Sequence, residues 1–114
     1  MPYMKIITNT GLSPHRREDL LKAASKTVAE QLDKSEDYVM VSYLRDTDML
    51  FAGSDEPMAY VELKSIGLPE DKTSAFSAAL CDVLHTHLAI PAERVYIEFS
   101  RVERHLWGWN NKTF

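Results

Sequence analysis

A chain of 114 residues with 13 basic and 17 acidic side chains carries a formal net charge of −4 and has the length of one domain. At 45% hydrophobic and 26% charged it can fill a core beneath a solvated surface, which argues against disorder. No Lys/Arg block interrupts the acidic balance, so nothing marks a phosphate-binding surface and nucleic acid is not an expected partner.

The first strand is expected over 2–9, opening on Pro2. Lys5, Thr8, Asn9 and Thr10 break its apolar character, so it does not read as a signal peptide. After Gly11-Leu12, Ser13 and Pro14 read as N-cap and first residue of a helix over 14–33, with Glu18 and Asp19 suited to its first turns. Leu20, Ala24, Val28 and Leu32, with Leu21 beside them, form its apolar stripe. A strand follows over 38–44. The polar connection 45–56 is expected to run over the surface with a short edge strand at 49–52. A strand over 57–66 leads through Gly67-Leu68 to a helix over 70–88 with the stripe Phe76, Leu80, Leu84 and Leu88. Ile90-Pro91 stops that helix, because the residue before proline avoids the helical region. The last strand is expected over 94–100.

The two stripes share one offset: each member of the first recurs 56 positions later in the second. The same offset joins Gly11-Leu12 to Gly67-Leu68, and Val39, Val41 and Tyr43 to Val95, Ile97 and Phe99. Two amphipathic helices could match by chance, but their flanking turns and strands would not, so the chain reads as an internal duplication of about 2–44 and 58–100 within one domain, 1–114. Each copy is a strand–helix–strand crossover, whose strands pair in parallel. The expected fold is therefore α+β: duplicated β-α-β units forming a four-stranded mixed sheet with both helices on one face. The strands are nevertheless apolar on consecutive positions, as in Val39-Met40-Val41 and Val95-Tyr96-Ile97. Such runs are normally buried on both faces, and another copy of the chain is the simplest cover for the open side.

Cys81, the single cysteine, excludes an internal disulfide and any CxxC motif, and its place beside the apolar stripe suggests a buried small hydrophobe. His85 and His87 are two apart on a helix and make a poor metal pair. No P-loop, GxSxG or GxGxxG occurs, and neither metal nor organic cofactor is implied. No apolar run reaches the roughly 20 residues that span a bilayer, so no membrane partner is expected. The expected compartment is the cytoplasm, and export without a leader would leave no mark. Pro2 remains. Removal of Met1 would expose a secondary amine, and an α-amino group near pH ~8 becomes a usable general base once apolar burial or a nearby cation lowers it. Taken alone, a Met-Pro start carries no chemistry.

The arrangement as a whole resembles the macrophage migration inhibitory factor and D-dopachrome tautomerase family, almost end to end. The likeness rests on Pro2 opening the first strand, on Lys34 before Tyr38-Val39, and on Phe51-x-Gly53-Ser54-x-Glu56-Pro57. It continues through Ser65-Ile66-Gly67 and Ala92-x-Arg94-Val95-Tyr96-Ile97 to Gly108-Trp109-Asn110-Asn111-x-Thr113-Phe114. The resemblance implies a homotrimer of the duplicated fold and a cofactor-independent keto–enol tautomerase acting on phenylpyruvate-like 2-oxo acids or dopachrome-type substrates. It implies Pro2 as the base and Lys34 with the Ile66 backbone N–H as the carboxylate site. Tyr96 from a neighbouring subunit would contact the substrate, and Trp107 and Phe114 would form pocket wall, with Tyr3 and Tyr38 near the rim. Each has a plainer alternative: Lys34 suits a helix end, Ile66 a strand end, Tyr96 a strand and the Trp107/Trp109 tail subunit packing.

Two positions depart from the family's best-known member. Glu98 stands where that protein has asparagine, and a carboxylate there would repel an anionic substrate, pair with a cation such as Lys34, or point away. Met58-Ala59-Tyr60-Val61 replaces its CxxC, so thiol oxidoreduction is not expected. The competing function is a cytokine-like binding protein with weak or vestigial turnover, whose partner after export would be a cell-surface receptor. Dehalogenation or decarboxylation would need paired arginines near the proline, and Arg16 and Arg17 lie in the first helical turn instead.

Overall fold

Alternation along the first strand sets the two faces of the sheet. In β1 (Tyr3–Thr8), Met4, Ile6 and Thr8 are fully buried, while Tyr3, Lys5 and Ile7 turn the other way. The computed structural model describes residues 1–114. β3 (Ala59–Ile66) buries Ala59, Val61, Leu63 and Ser65 on the face that β1 presents. The outer strands β2 (Met40–Leu44) and β4 (Val95–Val102) add Val41, Tyr43, Val95, Ile97 and Phe99. Against this face pack α1 (Pro14–Leu32) and α2 (Thr73–Leu88), through Leu20, Ala24, Val28 and Leu32 and through Phe76, Leu80, Leu84 and Leu88. Burial of each large side chain in this layer is worth about 2 kcal/mol. Thr8, the polar member, is matched: its hydroxyl donates to the Met58 carbonyl at 2.6 Å.

The sheet order is β2-β1-β3-β4, with β1/β2 and β3/β4 parallel and β1/β3 antiparallel. That is the mixed four-stranded sheet with both helices on one face. The strand ends differ from expectation by one or two residues. The first turn of the second expected helix is a 3-10 turn, Glu70–Lys72.

Both helices end on a residue in the left-handed region. Asp33 (φ 52°, ψ 49°) closes α1, its N–H reaching the Glu30 carbonyl while the Lys34 N–H reaches that of Ala29 at 3.0 Å. These are the paired bonds of a Schellman turn, and they fix where the chain carries Lys34. At the other end Ser13 has N-cap geometry but makes no side-chain cap bond. Arg17 occupies that corner, its N–H on Ser13 O at 2.9 Å and its guanidinium on Leu12 O at 2.7 Å. Glu18 and Asp19 fall beyond the first turn, which holds no acidic residue.

The edge strand expected at 49–52 does not form. Phe51 and Ser54 instead exchange two backbone hydrogen bonds across Ala52-Gly53, whose φ angles of 54° and 73° make a tight type I′ turn. The carbonyls a ladder would need belong to Arg94, whose guanidinium donates to those of Phe51, Ser54, Glu56 and Pro57. A short hairpin forms where none was anticipated, β5 (Gly108–Trp109) against β6 (Lys112–Thr113) around Asn110-Asn111.

The face away from the helices carries three rows set by register: Met40, Tyr3, Lys64 and Ser100; Ser42, Lys5, Glu62 and Glu98; Leu44, Ile7, Tyr60 and Tyr96. Met40 and Tyr96 are 67% and 65% exposed within one chain, so the helices leave this face uncovered.

Candidate active site

The site is built around the point where β1 begins. Tyr3 pairs with Met40 on one side and Lys64 on the other, and continuing those registers sets Pro2 between Val39 and Ser65, and Met1 between Tyr38 and Ile66. The Met40 N–H donates to the Pro2 carbonyl at 3.0 Å, and the Met1 amine donates to the Tyr38 carbonyl at 2.5 Å. Pro2 is buried. The chain terminus is thus held against the start of β2, just ahead of β1.

A cavity of about 350 Å³ opens beside it, walled by Tyr38, Trp107, Trp109 and Phe114. The hairpin and its aromatic contacts build this wall. Trp109 and Phe114 stack with centroids 5.4 Å apart, and Tyr38 meets Trp109 edge-on at 5.5 Å. The Phe114 N–H closes the wall onto the Trp107 carbonyl at 3.1 Å. Trp109 lines the wall too, beside the Trp107 and Phe114 that the family likeness named there. Asn110-Asn111, with φ 55° and 63°, was the signal for the turn that places it.

Lys34 and Ile66 line a second, more polar cavity of about 730 Å³, together with Gly67, Glu70, Arg101 and Arg104. Lys34 is close enough to act on the terminus. The Met1 amine lies below the ordinary 8.0, first because burial disfavours its charged form and second because of the Lys34 charge. One chain therefore gathers Pro2, Trp107 and Phe114 around one cavity, under the influence of Lys34, which itself sits with Ile66.

Tyr96 and Glu98 lie elsewhere. Tyr96 is in the third row of the open face, packed on Phe51 with centroids 4.6 Å apart, above an apolar cavity lined by Met49, Leu50 and Met58. Glu98 neither pairs with Lys34 nor approaches Pro2 in the same chain: it accepts the Tyr60 hydroxyl, and this hydrogen bond is the main cause of the Tyr60 pKa being pushed up to about 12. Tyr3 shares its hydroxyl with Ser42 at 2.6 Å. Cys81 is half-buried, not buried, because it sits at the margin of the α2 stripe, and partial burial pushes its thiol up. No three His, Cys, Asp or Glu side chains converge to hold a metal ion. No helix is long and apolar enough to cross a membrane.

The family model of macrophage migration inhibitory factor matches residues 1–114. Among curated relatives, the homolog from Brugia malayi is 37% identical and the factor from Xenopus tropicalis 34% identical, each alignment covering 100% of this chain and 99% of the relative. Among solved structures, the homologue from Prochlorococcus marinus superposes with a TM-score of 0.92 at 40% identity, covering 98% of both chains. With fold, length and sequence in agreement, the chain belongs to the macrophage migration inhibitory factor family of the tautomerase superfamily.

Proposed function

We propose that this protein is a cofactor-independent keto–enol tautomerase for aromatic 2-oxo acids of the phenylpyruvate kind, dopachrome-type substrates included, with the Pro2 amine as general base once Met1 is removed. The observation that carries this reading is the docking of the terminus between Tyr38 and Ile66, where burial and Lys34 both depress an amine. A terminal amine whose charged form is disfavoured can take a proton from C3 of the substrate while the C2 oxygen gains one, so the keto and enol forms interconvert with no change in composition. Lys34 and the Ile66 N–H would hold the substrate carboxylate, and the wall of Trp107 and Phe114 would hold the ring.

The open sheet face supports assembly into a homotrimer. Met40, Tyr96 and Leu50 leave a large apolar surface exposed in one chain. In such an assembly Tyr96 and Glu98 of one subunit would complete the Pro2 cavity of another, since within a chain they lie on separate parts of the sheet. Phenylpyruvate ketonisation by the Met1-free protein and by its Pro2→Gly variant tests the base: a loss of at least 100-fold is expected, and equal rates would remove Pro2 from the mechanism.

A second reading, a cytokine-like protein that binds a cell-surface receptor, is favoured by the relatives' own description as migration inhibitory factors. A processed oligomer without turnover on any 2-oxo acid, but with saturable binding to cells, would select it.

A further inference from the structure

The cavity that holds Lys34 and Ile66 is lined by three cations and two carboxylates, and two of the cations are unpaired. Arg101, at the end of β4, and Arg104, in the 3-10 turn Arg104–Leu106, line it as well. Glu70 and Glu103 also face it, and of the two only Glu70 is paired with a permanent cation. Glu70 pairs with Arg101 at 3.4 Å, and Glu103 lies 3.5 Å from His105. Neither Lys34 nor Arg104 has a carboxylate within ion-pairing distance. Lys34 is half-buried and Arg104 is exposed at the rim. Only two of the eight lining residues are apolar, in contrast to the aromatic wall beside Pro2.

From this arrangement we propose that Arg104 forms a second anion subsite beside Lys34, and that the protein takes 2-oxo dicarboxylates as a substrate class. The proposal rests on the tautomerase reading for the role of Lys34. The first carboxylate goes to Lys34 and the Ile66 N–H. The second replaces the aromatic ring on C3 and goes to Arg104, whose planar fork suits a carboxylate. Proton exchange at C3 then follows the same balance as for an aromatic substrate. Arg101 is less suited to this task because Glu70 already occupies its guanidinium.

The test compares the Met1-free protein with Arg104→Gln, using 2-oxobutanedioate and phenylpyruvate as probes. Both equilibrium binding and kcat/KM are measured. A rim cation facing a carboxylate is expected to be worth roughly three- to tenfold. Arg104→Gln should therefore weaken 2-oxobutanedioate by that factor relative to phenylpyruvate, in binding and in kcat/KM alike. Arg104→Lys should recover part of the difference, and added salt should diminish it. An unchanged ratio between the probes, or no binding of 2-oxobutanedioate by the parent protein, overturns the subsite. Loss of phenylpyruvate turnover in Pro2→Gly bears only on the base. A parent protein that binds the diacid through Arg104 but turns over neither probe would defeat the tautomerase reading and leave the subsite standing.

Discussion

Replacing Arg94 by methionine keeps the apolar stem and removes the fork that ties the 51–57 loop to the start of β4. Four contacts are lost: to Pro57 O at 3.0 Å and to Phe51, Ser54 and Glu56 O at 3.1 Å each. The Phe51 and Ser54 bonds are partly buried and worth about 1 kcal/mol each; the other two, more exposed, about 0.5 kcal/mol each. The guanidinium also lies 5.3 Å from the Phe51 ring centroid, adding about 0.5 kcal/mol. The expected loss is about 3.5 kcal/mol, a large share of a total of about 5–15 kcal/mol. Urea unfolding at one fixed protein concentration measures it, because assembly makes apparent stability concentration-dependent. With a slope of about 2 kcal/mol per molar, the midpoint should fall by about 1.7 M. Arg94→Lys, with the charge but not the planar fork, should recover about a third of the loss. A loss below about 1 kcal/mol in the methionine variant, or a lysine variant as stable as the parent, would refute the view that this fork holds the loop. Tyr96 packs on Phe51 from that loop, so tautomerase activity should fall with the stability.

In the Met1-free protein, Lys34→Gln should shift the acidic limb of the kcat/KM profile to higher pH, since one of the two causes depressing the terminal amine is gone, and should raise KM for phenylpyruvate. The sign for stability follows from the same shift. A folded-state amine pKa below 8.0 gives stability that is present above pH 8 and is lost as pH falls through the lowered value, as acid-side unfolding of the Met1-bearing chain should show. Tyr60, with its pKa raised to about 12, contributes stability present below its ordinary 10.0 and lost as pH rises through 12. Ultraviolet titration of Glu98→Gln should therefore show one phenol ionising at lower pH than in the parent. Ala89 adopts φ 56° at the end of α2. Glycine there should gain about 0.5 kcal/mol, the relief of a left-handed alanine of about 1 kcal/mol less the extra freedom of the unfolded chain, and calorimetry would detect it.

The apolar stripes at a common offset of 56 were enough to read both helices and the four strands, because burial on one face imposes a period that survives in the residues themselves. Pro2, Lys34 and Ile66 are candidates only through family likeness, since each is ordinary at its position. Two features escaped. The tight turn at Ala52-Gly53 stands in place of a strand, its flanking carbonyls also accepting from Arg94, 40 and 43 residues away, and no local pattern records that distant donor. The Asn110-Asn111 hairpin was legible in principle, but the strands it joins are two residues long and show no alternation to count. The placement of Glu98 depended on the diagonal neighbour Tyr60, which only sheet register reveals.

The hold that the sheet keeps on Met1 and Pro2 bears on when the catalyst can come into being. An aminopeptidase draws the bond it cuts into its own cleft, yet here the Pro2 carbonyl is taken by Met40 and the Met1 amine by Tyr38. In the tautomerase reading, these two contacts compete with the trimming of Met1, which is easiest while the terminus is still free. A chain that keeps Met1 holds the Pro2 nitrogen as an amide, and two samples with the same fold would then differ in activity through a single peptide bond.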